Sequence, residues 1–147
     1  MTEVMEDLKI ERRFEAPLDV VFAYVTERES ILKWWGPEGL TLPEESLDFS
    51  RRGPWHSVMV NAEGKRFKVS GVVREIKPPS RVEFTWAWHD DQDVRGSESI
   101  VRIELEEDGK QATRFTLIHS GLANDESRAN HNMGWTSSLK KLERIFA

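Results

Sequence analysis

Arg81-Val82-Glu83-Phe84-Thr85-Trp86-Ala87-Trp88 alternates large apolar residues with polar or small ones through eight positions. A period of two is the mark of a β-strand with one buried face. The same period runs outward from this stretch, from residue 41 to residue 120. Leu47 and Phe49 open it, Trp55, Ser57 and Met59 follow, and Phe67, Val69, Gly71 and Val73 form the next run. Beyond the central stretch come Val101, Ile103 and Leu105, then Thr113, Phe115, Leu117 and His119. Arg52-Gly53-Pro54, Glu63-Gly64, Pro78-Pro79, the polar segment Asp90 to Gly96 and Asp108-Gly109 punctuate the runs. These are turn signals, and their regular recurrence suits an antiparallel meander with one wet face.

The flanks read differently. Leu8 to Glu15 largely alternates and predicts a first strand. Ala16-Pro17 then introduces Leu18, Val21, Phe22 and Val25 at helical spacing, with proline suited to a first helical turn. Thr26 and Glu29 stand three apart, the spacing of a capping box, and predict a second short helix. That helix carries Ile31, Trp34 and Trp35 on one face and stops at Gly36-Pro37. At the other end Asn124 or Asp125 can cap a long helix with acids in its first turn and Lys140, Lys141 and Arg144 near its last. His131, Trp135, Leu139, Leu142 and Phe146 make one stripe along it. Gly134, inside this helix, costs about 1 kcal/mol relative to alanine and predicts a close approach of another element. Only the long helix is large enough to cover the apolar face of the meander. The fold class is therefore α+β: two short helices after the first strand, and a curved antiparallel sheet of six or seven strands wrapped on the C-terminal helix.

Composition sets limits. The 147 residues fit a single domain, 1–147. The absence of cysteine excludes disulfides, thiolate catalysis and cysteine-ligated metal, and fits a cytoplasmic protein. A net charge of −5 without a long basic block argues against nucleic acid and anionic membrane as partners. Met1 to Asp7 is acidic and is no signal peptide, and no stretch reads as a membrane span. Six tryptophans beside one tyrosine predict either a bulky core or an aromatic-lined pocket.

Several segments resemble the START-like, Bet v 1-like superfamily with its helix-grip fold, and more closely the family of activators of heat shock protein 90 ATPase homologues. They are Phe14-Glu15-Ala16-Pro17 with Val21-Phe22, Trp34-Trp35-Gly36-Pro37, Gly71-Val72-Val73-Arg74-Glu75-Ile76 with Pro78-Pro79, and Val82-Glu83-Phe84-Thr85-Trp86. His119-Ser120-Gly121 and His131 with Gly134-Trp135 complete the set. Arg52-Gly53-Pro54 departs from the glycine pair often found there. The resemblance implies a seven-stranded sheet on the C-terminal helix with a cavity between them, and no single function. Relatives include lipid and hormone binders, polyketide cyclases and co-chaperone domains. The eukaryotic co-chaperone has a further N-terminal domain for which this chain has no room, so chaperone activation does not carry over.

Within that frame the candidate ligand-binding residues are Trp34, Trp35, Trp55, Phe67, Trp86, Trp88, His119, His131 and Trp135. Trp34 and Trp35 are expected near the mouth. Phe67, Phe84 and Trp86 also read as plain core, whereas Trp88 and Trp135 suit a semi-polar cavity equally well. His119 has the inward parity of Phe115 and Leu117, and His131 lies on the inward stripe. They read either as satisfied seam residues or as a polar end that orients a ligand or moves protons. Glu75 and Glu98 become partner carboxylates only if their strands carry bulges. No third ligand stands at metal spacing, and Asp90 to Asp93 fails the calcium-loop pattern, so no metal or cofactor is expected. Ser57, Ser70 and Ser120 lack the strand–turn–helix context of an esterase nucleophile. The expected occupant is a small hydrophobic molecule, lipid-like or polyketide-like, bound by a monomer or homodimer. The alternatives are a cyclase- or hydrolase-type enzyme that uses His119 and His131, and a co-chaperone-like domain that binds a partner protein.

Overall fold

The computed structural model describes residues 7–147, so most of the acidic N-terminal segment lies outside the described residues. Ten elements follow in order: β1 (Leu8–Phe14), α1 (Leu18–Thr26), α2 (Arg28–Ile31), β2 (Thr41–Ser46), β3 (Gly53–Val60), β4 (Arg66–Lys77), β5 (Arg81–Trp88), β6 (Ser99–Glu107), β7 (Thr113–Ser120) and α3 (Asp125–Ile145). All seven strands join one antiparallel sheet in the order β1-β7-β6-β5-β4-β3-β2. β1, at one edge, pairs with the last strand, and the meander runs from there to β2 at the other edge. Among the described residues no helix is long and apolar enough to cross a membrane.

The core fills the space between the inner sheet face and the helices. Val82, Phe84 and Trp86 of β5 meet Val101 and Ile103 of β6 and Phe115 and Leu117 of β7, all buried. Leu139 and Leu142 of α3 press on this layer without solvent contact. Phe146 closes the far end against Phe14 and Tyr24 at ring distances of 5.4 and 5.0 Å. The segment after α2 is tied to α3 by polar contacts. The Ser138 hydroxyl donates to the Trp34 carbonyl at 2.6 Å, and Lys141 Nζ donates to the Trp35 carbonyl at 3.2 Å.

Four local expectations are corrected. The strand near Leu47 and Phe49 is instead Thr41–Ser46, and both apolar residues lie just beyond it, fully buried. An edge strand with mostly exposed side chains carries no alternation to read. Phe49 stacks on Phe84 at 4.4 Å. Thr26 caps nothing, because its hydroxyl bonds back to the Phe22 carbonyl at 2.7 Å, and Glu27 begins α2 without a side-chain cap. Pro17 stands at the N-cap of α1, one place before the first turn. Gly134 is not needed for a close approach, since a Cβ there would meet only Pro37 Cγ, at 3.9 Å. The glycine that must be a glycine is Gly71, where a Cβ would lie 1.9 Å from the Thr85 carbonyl oxygen. The indole of Trp55 crosses this position and donates to the same oxygen at 3.1 Å. A register shift between Val73 and Glu75 follows and bends β4.

Candidate functional site

A cavity of about 510 Å³ lies between the sheet and the first half of α3. Trp86 and Trp88 project from β5, Met59 and Phe67 from the β3–β4 hairpin, Trp35 from the turn after α2, and Trp135 from α3. The four indoles form a continuous wall, with neighbouring rings between 5.1 and 5.8 Å apart. Edge-to-face and tilted contacts of this kind hold the rings in fixed orientations. The α3 side is of a different character. Ser127, Asn130, His131, Gly134 and Ser138 line it at helical spacing, and the exposed Asn124, Glu126 and Asn130 mark the mouth. Glu126 is the one ionisable acid among the described lining residues, and no lysine or arginine is among them.

Six of the nine residues singled out in the sequence line this space: Trp35, Phe67, Trp86, Trp88, His131 and Trp135. The other three do not. Trp34 is fully buried away from the mouth and donates its N–H to the Tyr24 carbonyl at 2.8 Å. Trp55 lies beneath Trp35 and Trp86, its N–H held by Thr85. His119 is fully buried behind Trp86 and Trp135. Trp35, though it lines the cavity, is 3% exposed, and its N–H donates to Ser57 Oγ at 3.0 Å. Leu40 and the polar first turns of α3 were not singled out. Their signal, a second helical face of small and polar residues beside the apolar stripe, lies at 127, 130, 134 and 138.

The two histidines share a seam, their rings 4.9 Å apart and near perpendicular. His131 Nδ1 donates to the Ser127 carbonyl at 2.7 Å, which leaves Nε2 to accept the Trp88 indole N–H at 2.9 Å. His119 Nδ1 accepts the Trp135 indole N–H at 3.1 Å, so Nε2 carries the proton and donates to Ser99 Oγ at 2.7 Å. The Ser99 hydroxyl passes the chain on to the Trp86 carbonyl at 3.3 Å. Both rings are neutral in this arrangement. Burial pushes His119 down to about 3, with a smaller push from His131. Burial also lowers His131, against the opposing bond to Ser127. Each imidazole therefore anchors a tryptophan, and neither keeps a free nitrogen. Trp86 is the exception among these indoles, for its N–H is buried without an acceptor.

The carboxylates considered as partners lie elsewhere. Glu75 pairs with Arg81 at 3.0 Å and Glu98 with Arg95 at 2.8 Å. Among the described residues no group of three His, Asp or Glu side chains is placed to hold a metal ion.

Comparison with known proteins agrees with this architecture. Residues 15–147 match the model of the family described as Activator of Hsp90 ATPase homolog 1-like protein. The AHSA1 protein of Silicibacter pomeroyi is 50% identical, with a TM-score of 0.91 over 95% of this chain and 96% of that one. A protein of Chromobacterium violaceum is 22% identical, with a TM-score of 0.83 over 95% and 96% of the two chains. One of Nitrosomonas europaea is 24% identical, with a TM-score of 0.75 over 95% and 92%. These last two show a shared fold alone. No curated protein matches the chain. With the family model covering nearly the whole chain, and a half-identical relative superposing over almost its full length, the chain belongs to the Activator of Hsp90 ATPase homolog 1-like protein family, with the α+β helix-grip fold.

Proposed function

We propose that the cavity binds a small, uncharged, ring-containing hydrophobic molecule, which enters beside the first turns of α3 and keeps its polar end at the mouth. One observation carries this reading: about 510 Å³ of space stands open against five aromatic side chains. That volume lies within the range of small-molecule sites, which are mostly apolar with a few placed polar groups. The lining supports an uncharged occupant. A carboxylate or phosphate at the mouth would face Glu126 with no lysine or arginine among the lining residues to pair with, so an anionic end is disfavoured. Polar groups at the mouth, from Asn124, Ser127 and Asn130, suit a hydroxyl or carbonyl at one end of the ligand.

The histidines support a binding role over proton transfer. Every ring nitrogen of His119 and His131 already holds a partner in place. A cyclase or hydrolase that used them would first have to break the bonds that fix Trp88 and Trp135.

Calorimetric titration with 1-naphthol and with 1-naphthoate tests the reading. The two probes share a ring system and differ in charge. The naphthol is expected to bind, and the naphthoate at least about tenfold more weakly, a difference of about 1.4 kcal/mol. Absence of naphthol binding, or equal binding of the two, contradicts the proposal.

A further inference from the structure

On the opposite face of the sheet, away from the cavity, three side chains stand in a line. Val69, Gly71 and Val73 of β4 point inward, so Ser70 between them points outward. Pairing of β4 with β5 places Ser70 opposite Ala87, and the His89 N–H continues the ladder by donating to the Lys68 carbonyl at 2.9 Å. His89, two residues beyond Ala87, therefore lies on the same outer face. Ser70 Oγ is 2.7 Å from His89 Nε2, and His89 Nδ1 is 2.8 Å from Asp93 Oδ1.

The proton positions follow from the partners. A carboxylate can only accept, so His89 Nδ1 carries a proton, and in the neutral imidazole Nε2 then accepts from the Ser70 hydroxyl. This is the tautomer that a general base needs beside a nucleophile. Lys68 Nζ, 3.0 Å from Asp93 Oδ1, helps to hold that carboxyl in its ionised form. Asp93 is the one non-glycine residue among those described with a positive φ, at 62°. Its position is set by Asp90, whose carbonyl accepts the Asp93 N–H at 2.9 Å and whose carboxylate accepts the N–H groups of Gln92 and Val94. Backbone strain of this kind tends to collect at functional sites. Arg95 supplies a fixed positive charge, its Nε 3.1 Å from Ser70 Oγ, and is itself held by Glu98 and the Ser70 carbonyl. The negative charge of acyl transfer develops on the substrate carbonyl oxygen, and a guanidinium this close to Ser70 is within reach of that oxygen once Ser70 Oγ bonds to the carbonyl carbon.

We propose that Ser70, His89 and Asp93 form a second, catalytic site that hydrolyses small carboxylic esters, with Arg95 as the electrostatic stabiliser. Ser70 Oγ bonds to the ester carbonyl carbon as its proton passes to His89 Nε2. Collapse of the tetrahedral adduct breaks the ester C–O bond, and the alcohol leaves with that proton. Water then attacks the acyl-serine and gives a proton to His89. The acid departs, and Ser70 recovers its hydrogen. Ser70 has no nucleophile-elbow sequence around it because the relay is assembled across two adjacent strands and the loop that follows them.

A fluorophosphonate–biotin probe tests this on the full chain. Attack by Ser70 forms an O–P bond and releases fluoride, and peptide mass spectrometry locates the adduct. The expected result is modification at Ser70, slowed about 100-fold or more in His89→Ala and in Asp93→Asn. Asp93→Asn nearly preserves side-chain shape, so it keeps the test open if His89→Ala disturbs the loop, and circular dichroism checks both folds. Release of nitrophenolate from p-nitrophenyl acetate should likewise be lost in Ser70→Ala. No adduct at Ser70, or an adduct formed at the same rate in folded Asp93→Asn, overturns the proposal and leaves these bonds as a pin for the loop at 89–96.

Discussion

Replacing Gly134 separates the two roles its position could have. A glycine inside a helix is unfavourable by about 1 kcal/mol relative to alanine. At Gly134 the added Cβ would meet nothing nearer than Pro37 Cγ at 3.9 Å, an ordinary contact. Gly134→Ala should therefore be more stable by about 1 kcal/mol, a rise in Tm of roughly 3 °C for a domain of this size. Gly134→Phe projects a ring into the cavity from the same backbone position, where Trp35, Trp86 and Trp135 leave it room. It should stay folded and lose 1-naphthol binding at least about tenfold, while Gly134→Ala keeps most of it. Thermal unfolding followed by circular dichroism, with calorimetric titration of both variants, reads the two effects. A Gly134→Ala protein less stable than the parent would show that the backbone there needs glycine. A Gly134→Phe protein that is folded and binds like the parent would show that the cavity is not where the ligand sits.

Three further outcomes follow from particular contacts. Gly71→Ala should cost about 3 kcal/mol or more in urea unfolding, because its Cβ would collide with the Thr85 carbonyl and displace the Trp55 indole. His119 is neutral when folded and protonates freely when unfolded, so its contribution is complete above about pH 6.5 and is lost as pH falls towards 3. Between pH 7 and 4.5 this group alone should cost about 3 kcal/mol, and the pH slope of stability should be shallower in His119→Gln. Trp88→Phe removes the donor that favours neutral His131, so the His131 titration followed by NMR should move upward, with about 1 kcal/mol of stability lost.

The parts of the molecule written as period or stripe were legible in the sequence. Val82 to Trp88 declared the central strand, and Trp135, Leu139 and Leu142 declared the buried face of α3, because packing of a whole face leaves a regular pattern. Thr41 to Ser46 was not legible, since a polar edge strand is specified by its neighbour's backbone and not by its own burial. Trp34 and Trp35 are adjacent and chemically identical, yet one indole faces Tyr24 and the other the cavity. At the irregular end of a short helix, no periodicity separates them. His119 and His131 both had inward parity. Only three-dimensional placement reveals that their nitrogens are taken by Trp135 and Trp88. The Ser70–His89 contact depends on the register of β4 on β5, and sequence fixes that register only once both strand ends and the bulge near Val73 are known.

The six indole N–H resonances in a nitrogen–proton correlation spectrum test the central claim most directly. Titration with 1-naphthol should shift the signals of Trp35, Trp86, Trp88 and Trp135, which line the cavity, and leave those of Trp34 and Trp55 in place. Saturable shifts confined to Trp34 and Trp55, or six signals unmoved at naphthol concentrations where binding heat is seen, would contradict a ligand seated between the sheet and α3.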